Sequence, residues 1–270
     1  MPPRVSARIT EPAPLSSVRK ACRILKALAS ADQQRLTVLA EATGLDKATL
    51  LRLLEMLSEE GYVERDDTSK RYSMGVEARV LGVASLARFD PRPLAQPSLL
   101  RLADRFEDTI LLSIPSGSES VCAAFEVGRF PIRANYLGVG GRRLLGVGAG
   151  SLALLAALPT AECEAVLPAI RAGLANHPRV TAALVEKKLE EARTLGYAIT
   201  LDIVVDQMGG IGVAIPGPDG RPLAALSIAA LSKRIEARRD EIVQSLKREA
   251  ELCRQAWTAA LAAHRQGRSR

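Results

Sequence analysis

Residues 36–75, LTVLAEATGLDKATLLRLLEMLSEEGYVERDDTSKRYSMG, decide the fold of the first part of the chain. A helix is predicted after Thr37, whose hydroxyl can cap free backbone amides, and it ends at Gly44, which accepts a left-handed backbone. Asp46 is predicted to cap a second helix with its carboxylate, which suits the positive end of the helix dipole. The buried face of this second helix has leucines at three- and four-residue steps, namely Leu50, Leu53, Leu54 and Leu57.

A charged hairpin is predicted to follow the second helix. Gly61 ends that helix, and residues 62–64 and 71–73 are expected to pair as strands across the turn at residues 66–69. Helix, tight turn, helix and hairpin make a winged helix-turn-helix, a layout that delivers its second helix to the major groove of DNA. The sequence therefore predicts DNA binding, and an ordinary helical hairpin without a nucleic-acid role is the alternative.

The second helix and the wing supply the candidate contacts with DNA. Lys47, Thr49 and Arg52 are expected to reach base edges. Ala48 and Leu51 offer no polar group, so either those three residues carry most of the direct reading or DNA shape supplies the rest. A supporting helix is predicted after Ser16 or Ser17, and it carries Arg19. Together with two wing residues that would meet phosphates, the full set of predicted contacts comprises Arg19, Lys47, Ala48, Thr49, Arg52, Lys70 and Arg71.

Length and composition predict a folded protein with two domains. The chain has 270 residues, 47% of them hydrophobic, which is enough to build real cores. Its net charge of +7 favours a polyanionic partner, although the basic residues are spread along the chain. The four cysteines lie far apart and without a histidine cluster, so reduced thiols are expected and neither a metal site nor a cofactor is predicted. No apolar run is long enough to span a bilayer, which predicts a cytoplasmic protein with no membrane partner.

A further helix, at residues 75–89, is predicted to link the two domains. The sequence DPRP from Asp90 onward stops it. Its apolar stripe needs a partner surface, which is either a second subunit or the rest of the same chain. The expected segments are a flexible arm at 1–14, a winged helix-turn-helix domain at 15–75, a linker helix at 76–90, a second domain at 91–264 and a tail at 265–270.

The second domain is predicted to be α+β with a mainly antiparallel sheet, because strand-like runs follow one another through hairpins. One hairpin turn is marked by Pro218, Asp219 and Gly220. The strands are expected at residues 109–114, 120–127, 132–136, 197–205, 210–216 and 223–229. Helices are expected at residues 94–106, 151–158, 162–172, 182–196 and 233–263.

The glycine-rich segment GVGAGS at residues 146–151 is the candidate ligand site of that domain. It lacks the third glycine or alanine of a dinucleotide fingerprint and the Gly-Lys ending of a P-loop. Successive backbone amides at a helix start can instead bind an anion such as a carboxylate, and a glycine turn required by close packing is the alternative. Asp202 and Asp206 could orient a ligand near a pocket rim, or could be solvated on the surface. His177 and Cys122 belong to no recognisable catalytic set, so no catalytic residue is predicted.

Four stretches of the chain, taken in order, resemble the IclR family of bacterial transcriptional regulators. They are SSVRKACRILKALA at 16–29, LAEATGLDKATLLRLLEMLSEEGYVERDDTSKRYSMG at 39–75, GVGAGSLALLAALP at 146–159 and GGIGVAIPGPDGRPLAALSIAA at 209–230. The resemblance implies a dimerising linker helix and a C-terminal effector-binding domain similar to GAF domains, in a homodimer or a dimer of dimers. The effector contacts that it implies are Gly148, Ala149, Ile211 and Val213, with an acidic position near Asp202 or Asp206.

Two positions depart from the family pattern. Ala48 stands where family members often carry a hydroxyl residue, and Val213 stands where a polar residue or cysteine is sometimes found. The leading hypothesis is a sequence-specific DNA-binding transcriptional regulator, not an enzyme, whose operator binding responds to a small organic or aromatic acid. An enzyme fused to a DNA-binding head and a constitutive architectural DNA-binding protein are the alternatives.

Overall fold

The chain divides into two compact units, Met1–Gly82 and Val83–Arg270. The computed structural model describes residues 16–30, 34–86, 90–133 and 137–267. The expected N-terminal arm lies outside the described residues, as do the last three residues of the expected tail. The domain bounds expected from the sequence stay a prediction.

The described part of the first unit has three complete helices, the beginning of a fourth and a two-stranded hairpin. Its elements are α1 (Ser17–Leu28), α2 (Leu36–Thr43), α3 (Lys47–Glu59), β1 (Val63–Arg65), β2 (Tyr72–Met74) and the beginning of α4 (Val76–Leu86). Leu50, Leu53 and Leu54 of α3 are buried, as the leucine spacing predicts, and Leu57 is half-buried. The rest of this core includes Ile24, Leu28, Leu39, Val63 and Tyr72.

Local capping chemistry fixes where α2 ends and α3 begins. Gly44 ends α2 with φ 65°, and the carboxylate of Asp46 accepts a 2.9 Å hydrogen bond from the backbone amide of Thr49. Both predictions are confirmed. The prediction that Thr37 caps α2 is wrong, because the helix begins at Leu36 and Thr37 lies inside it.

The wing is an antiparallel hairpin that lies one residue later than its sequence pattern indicates. Val63 pairs with Met74, and Arg65 pairs with Tyr72. Gln34 adds an unpredicted third partner, since its amide and its carbonyl each form a 2.8 Å hydrogen bond with the backbone of Tyr72. The hairpin is thereby tied to the segment that precedes α2.

The second unit is built on a six-stranded sheet. The strands are β3 (Thr109–Ser116), β4 (Glu119–Val127), β5 (Arg142–Leu144), β6 (Ala198–Leu201), β7 (Met208–Pro216) and β8 (Pro222–Leu231). Their order is β5, β4, β3, β8, β7, β6, and every neighbouring pair is antiparallel. The prediction of an α+β domain with a mainly antiparallel sheet is confirmed.

Helices cover both faces of this sheet. They are α5 (Pro91–Phe106), α6 (Ala149–Ala157), α7 (Thr160–Gly173), α8 (Ala182–Leu195), α9 (Ser232–Ala237) and α10 (Arg239–Gly267), with a 3-10 turn at Leu174–Asn176. Apolar side chains of α5 and α10 pack with Ile211, Val213 and Leu226 on one face. Those of α6, α7 and α8 form a separate core with Ala198 and Ala225 on the other. The alternation of strand side chains thus decides which helix layer each residue of β7 and β8 meets.

Two strand predictions need correction, and one strand was not predicted. The segment 132–136 is not a strand over its described part, since its first two residues are irregular and residues 134–136 lie outside the described chain. Conversely, Arg142–Leu144 forms the edge strand β5 just before the glycine-rich loop. It is held by pairing with β4, a partner that the local sequence does not reveal. The strand expected at residues 197–205 is shorter and covers Ala198–Leu201.

The start of α5 also differs from its prediction. This helix begins at Pro91, inside the segment expected only to stop the preceding helix. Asp90 caps it, because its carboxylate accepts a 2.9 Å hydrogen bond from the backbone amide of Arg92. Proline is tolerated in a first helical turn, where its missing N–H has no partner to lose.

The single closing helix expected at residues 233–263 is two helices with a break at Arg238. Arg234 and Arg238 both place their guanidinium groups on the carboxylate of Asp108, at 3.0 and 2.5 Å, and this carboxylate is 1% exposed. A buried carboxylate requires such partners. The break is therefore associated with a tertiary ion pair that helical periodicity cannot indicate.

Candidate nucleic-acid interface and ligand pocket

The part of α3 outside the core is the candidate nucleic-acid interface. It exposes Lys47, Ala48 and Arg52, while Thr49 is half-buried. Within the described residues of Met1–Gly82, the one salt bridge joins Arg79 to Glu64. The charges of Lys47 and Arg52 are therefore not neutralised by an ion pair there, and both side chains are free to meet an anionic partner.

Thr49 is partly engaged by the cap of its own helix. Its backbone amide donates to Asp46 at 2.9 Å, and its hydroxyl also bonds to that carboxylate. The two bonds hold the pKa of Asp46 below its usual value, so the carboxylate stays charged at the positive end of α3. Among the predicted α3 contacts, Lys47 and Arg52 are therefore the two whose positive charge is available to DNA.

Exposed cations also lie outside α3. Lys70 is exposed at the turn of the wing, with φ 56°, whereas Arg71 is half-buried. Arg65, which the sequence analysis did not select, lies with its guanidinium carbon 5.6 Å from the ring centroid of Tyr72. Arg19 is exposed on α1. The wing and α1 thus present positive charge beside that of α3, in the same compact unit.

The second unit contains a cavity on the face of the sheet that α6 covers. Its volume is about 590 Å³ when the open mouth is included. The start of α6 forms one wall, and strands β3, β6, β7 and β8 form the floor. The apolar part of its lining includes Leu111, Leu137, Val204, Val205, Met208 and Ala229.

Glycines allow the start of α6 to lie directly on the sheet. Gly148 occupies the N-cap position with φ 90°, and it has no side chain to cap the first turn. A Cβ on Gly212 of β7 would stand 2.5 Å from the carbonyl oxygen of Ala149, closer than such contacts allow. The backbone amides of the first turn of α6 are consequently left for a ligand, at the positive end of the helix.

Three nearly buried hydroxyls line the cavity without a partner. Ser113, Thr200 and Ser227 are 5%, 6% and 6% exposed, and no hydrogen bond joins their hydroxyls to any other described residue. Ser227 Oγ lies 2.9 Å, and Ser113 Oγ 3.5 Å, from the point where a Cβ on Gly150 would stand. By contrast, the Ser151 hydroxyl donates to the carbonyl of Gly148 at 3.0 Å. The cavity therefore offers hydroxyl groups that a polar ligand would satisfy.

Arg143 brings a positive charge to the same cavity. Its Nη1 lies 2.8 Å from the point where a Cβ on Gly148 would stand, so the glycine makes room for the guanidinium. Burial and the charge of Arg143 lower the pKa of His177. Burial also raises the pKa of Cys122 to about 11, against the opposing charge of Arg143. The thiol is thus neutral near pH 7, and Arg143 is the dominant charge at this wall of the cavity.

The residues expected to bind an effector divide between two faces of the sheet. Gly148 and Ala149 line the cavity. Ile211 and Val213 lie in the core beneath α5 and α10, on the opposite face, whereas Gly210 lines the cavity. Because successive side chains of a strand point to opposite faces, the residues of β7 that face the cavity are offset by one position from those expected.

Asp202 and Asp206 do not line the cavity, but they flank residues that do. The carboxylate of Asp202 accepts a 2.8 Å hydrogen bond from Ser232, and Asp206 forms an ion pair with Arg179. Arg179 also donates to the backbone carbonyl of Asp202 at 3.1 Å. These contacts of Asp202 and Asp206 therefore hold the loop between them, whose valines at positions 204 and 205 form part of the cavity wall.

The polar cavity residues were missed by sequence reasoning for a structural reason. No local motif marks Ser113, Thr200 or Ser227, because they come together only when β3, β6 and β8 pair with their neighbours. The one available signal is the arginine pair at positions 142 and 143, directly before a glycine-rich loop predicted to bind an anion.

Other chemistry of the described residues is limited. They contain no cluster of three His, Cys, Asp or Glu side chains that could hold a metal ion. Across the described ranges, no helix has the length and apolar character needed to cross a bilayer. Cys22 is exposed and the other three cysteines are buried, all as free thiols.

Comparison with known proteins identifies both units. The family model of the IclR helix-turn-helix domain matches residues 17–67, and that of the bacterial transcriptional regulator IclR C-terminal domain matches residues 83–254. The HTH-type transcriptional regulator XynR of Escherichia coli (strain K12) is 29% identical over 231 residues, which cover 82% of this chain and 88% of that protein.

Solved structures with the same fold cover nearly the whole chain. An IclR transcriptional regulator from Alicyclobacillus acidocaldarius has a TM-score of 0.69 at 24% identity, and the match covers 90% of this chain and 99% of that one. An IclR homolog from Microbacterium hydrocarbonoxydans, complexed with 4-hydroxybenzoate, has a TM-score of 0.69 at 20% identity, and the match covers 90% and 100% of the two chains. These likenesses extend the family assignment to the three-dimensional fold.

Proposed function

Because this chain belongs to the IclR family of bacterial transcriptional regulators, we propose that α3 contacts its operator and that the cavity of the second unit binds a small organic or aromatic acid. As a family member, the protein is a DNA-binding regulator with a C-terminal effector domain. The observation that carries the proposal is that each unit presents a surface suited to the partner proposed for it. One has unpaired exposed cations on α3, and the other has a cavity with free helix amides and an arginine.

Lys47 and Arg52 are the proposed base contacts, because they are exposed, charged and free of ion pairs among the described residues. Thr49 and Ala48 lie between them, with the Thr49 hydroxyl shared with the helix cap. Lys70, Arg71 and Arg19 are the proposed phosphate contacts, which position the protein without specifying sequence. Since so few α3 side chains can specify bases, each base contact contributes a large share of the discrimination.

The operator assignment is tested by replacing Arg52 with Ala. Loss of a bidentate base contact is expected to cost about 1 to 3 kcal/mol of operator affinity and to relax the preference at one base position. Operator binding is measured at fixed salt on matched and mismatched sites. Arg79→Ala is the matched control, since that exposed arginine is paired with Glu64. An Arg52→Ala protein with unchanged affinity and unchanged sequence preference would contradict the assignment.

The effector assignment draws on the polar groups of the cavity and on one relative. The amides at the start of α6 and the guanidinium of Arg143 favour an acid, and the mixed apolar lining accommodates an organic or aromatic skeleton. The IclR homolog from Microbacterium hydrocarbonoxydans was solved with 4-hydroxybenzoate bound. A small acid that raises the melting temperature and changes operator affinity is the expected finding. Acids that bind but never alter operator affinity would count against an effector role.

We also propose that the protein works as a homodimer, or as a dimer of dimers, through α4. Val76, Val80, Leu81 and Val83 of this helix are each at least half exposed, and a second copy would cover them. A two-fold dimer would require a near-palindromic operator. Val80→Glu is expected to shift the sedimentation coefficient toward that of the monomer. Val38→Glu, at a comparably exposed valine of α2, is expected to leave it unchanged.

We propose that the cavity binds its ligand without catalysis and that the protein acts in the cytoplasm, where a regulator meets DNA. The matching curated relatives are named as regulators. Turnover of a bound acid by the purified protein would instead support an enzyme fused to a DNA-binding head.

A further inference from the structure

The strongest unassigned feature is the set of polar groups around the first turn of α6. Arg143 lies against Gly148, and the hydroxyls of Ser227 and Ser113 lie against Gly150, two residues further along the helix. A charged group and neutral hydroxyls are thus placed side by side along one short stretch of backbone. A ligand that spans this stretch meets a cation first and hydroxyls next.

The hydroxyls of the cavity recognise a different part of the ligand from the part that the charge recognises. Each is nearly buried and unpaired among the described residues, so a ligand that covers it with apolar surface leaves a donor and an acceptor without a partner. A ligand hydroxyl can satisfy both, because it also donates and accepts. A site of this kind rejects an analogue that lacks the hydroxyl more strongly than an apolar pocket rejects an extra methyl group.

Resting on the proposed function of the cavity, we propose that its ligand is a hydroxylated carboxylic acid. Arg143 pairs with the carboxylate of this effector. Ser113, Thr200 and Ser227, which form the hydroxyl row of the cavity, bind its hydroxyl groups. Arg143 determines that the ligand is an acid. The hydroxyl row determines that a hydroxy acid binds in preference to its deoxy analogue. Gly148 is the permissive residue, since a Cβ there would stand 2.8 Å from Arg143 Nη1 and the guanidinium would have to move.

The neighbouring arginine provides a matched control. Arg142 precedes Arg143 in β5, but its guanidinium donates to Glu119 at 2.8 Å and to Ser116 at 2.9 Å. Its ion pair lies outside the cavity lining. Replacement of either arginine by Gln removes one charge from the same strand, at the cavity wall in one variant and beside Glu119 in the other.

The test measures the binding of two matched ligand series to the full-length protein by calorimetry. The aromatic series is 4-hydroxybenzoate, benzoate and 4-hydroxybenzamide, and the aliphatic series is lactate, propionate and lactamide. In at least one series, the hydroxy acid is expected to bind at least about tenfold more tightly than its deoxy and amide analogues. Arg143→Gln is expected to weaken that binding by roughly 10- to 100-fold, whereas Arg142→Gln leaves it within about twofold.

The serine variants test the second half of the proposal. Ser113→Ala with Ser227→Ala is expected to reduce the affinity for the hydroxy acid to that for the deoxy acid, without changing the latter. Operator binding and thermal unfolding of each variant show that it is folded, and Arg143→Lys provides a charged variant that retains part of the affinity. Equal binding of acid and amide, equal binding of hydroxy and deoxy acids, or an Arg143→Gln protein with full affinity would each overturn the assignment.

The proposed function and this inference fail separately. If neither hydroxy acid binds, and a neutral or cationic metabolite releases the operator, the ligand class is overturned and the regulator remains. If hydroxy acids bind through Arg143 but operator affinity never changes, the chemistry of the cavity stands and its effector role is lost.

Discussion

Arg142 and Arg143 are adjacent in β5, yet their guanidinium groups have different partners. Successive side chains of a strand point to opposite faces, so one arginine reaches Glu119 and the other reaches the cavity beside Gly148. The sequence alone does not distinguish the two arginines, because they are adjacent and carry the same charge. Only the pairing of β5 with β4 places the guanidinium of Arg142 on Glu119 and that of Arg143 at the wall of the cavity.

Asp46 gives a prediction at the residue scale. Asp46→Ala is expected to lower the thermal stability of the helix-turn-helix unit, because the amide and hydroxyl of Thr49 lose their acceptor. Asp46→Asn, which retains a capping oxygen, is the control and is expected to remain close to the wild type. Calorimetry of the three proteins measures the difference.

The same cap sets a pH dependence with a defined sign. The pKa of Asp46 is lower in the folded protein than its ordinary value of 3.8, so its stabilising contribution is complete above that value. It is lost as the pH falls through the lower, folded-state pKa. The difference between wild type and Asp46→Asn is therefore expected to be constant from about pH 7 to about pH 5, and to change only at the acid end. A difference that changes near neutral pH would point to another group.

At the scale of elements, the start of α6 depends on β7 having no side chains where the two meet. Gly212→Ala is expected to destabilise the second unit by about 1 to 3 kcal/mol, because the new Cβ would lie 2.5 Å from the carbonyl of Ala149 and neither backbone can yield easily. Gly138→Ala is the control, since nothing lies within 4 Å of its Cβ position. Denaturant unfolding measures both. Equal stability of the two variants would mean that α6 can shift away from the sheet without cost.

The turn between α2 and α3, which depends on local chemistry, was predictable, whereas features that depend on a distant partner were not. Gly44 and Asp46 mark the turn between α2 and α3 by backbone conformation and capping, which act within a few residues. The break at Arg238 depends on Asp108, which lies more than a hundred residues away in the chain. The candidate cavity shows the same division, because its glycine loop is visible in the sequence and its hydroxyl row exists only once the sheet is paired.

At the scale of the whole molecule, regulation requires that ligand binding in the second unit be thermodynamically coupled to operator binding in the first. A ligand in the second unit changes operator affinity only if it binds better to one of two states that differ in operator affinity. Such coupling is reciprocal, so the operator must change the affinity for the ligand by the same factor. This equality is measured by titration of each ligand in the presence and in the absence of the other.

The last prediction follows from that reciprocity. For an acid that raises the melting temperature, the ratio of operator dissociation constants with and without saturating acid is expected to be about 5- to 150-fold, in either direction. The ratio of acid dissociation constants with and without saturating operator is expected to have the same size. Arg52→Ala should weaken operator binding while leaving the acid affinity of the DNA-free protein unchanged, because the residue lies in the other compact unit. An acid that binds with both ratios equal to one would show that the cavity is not the regulatory site.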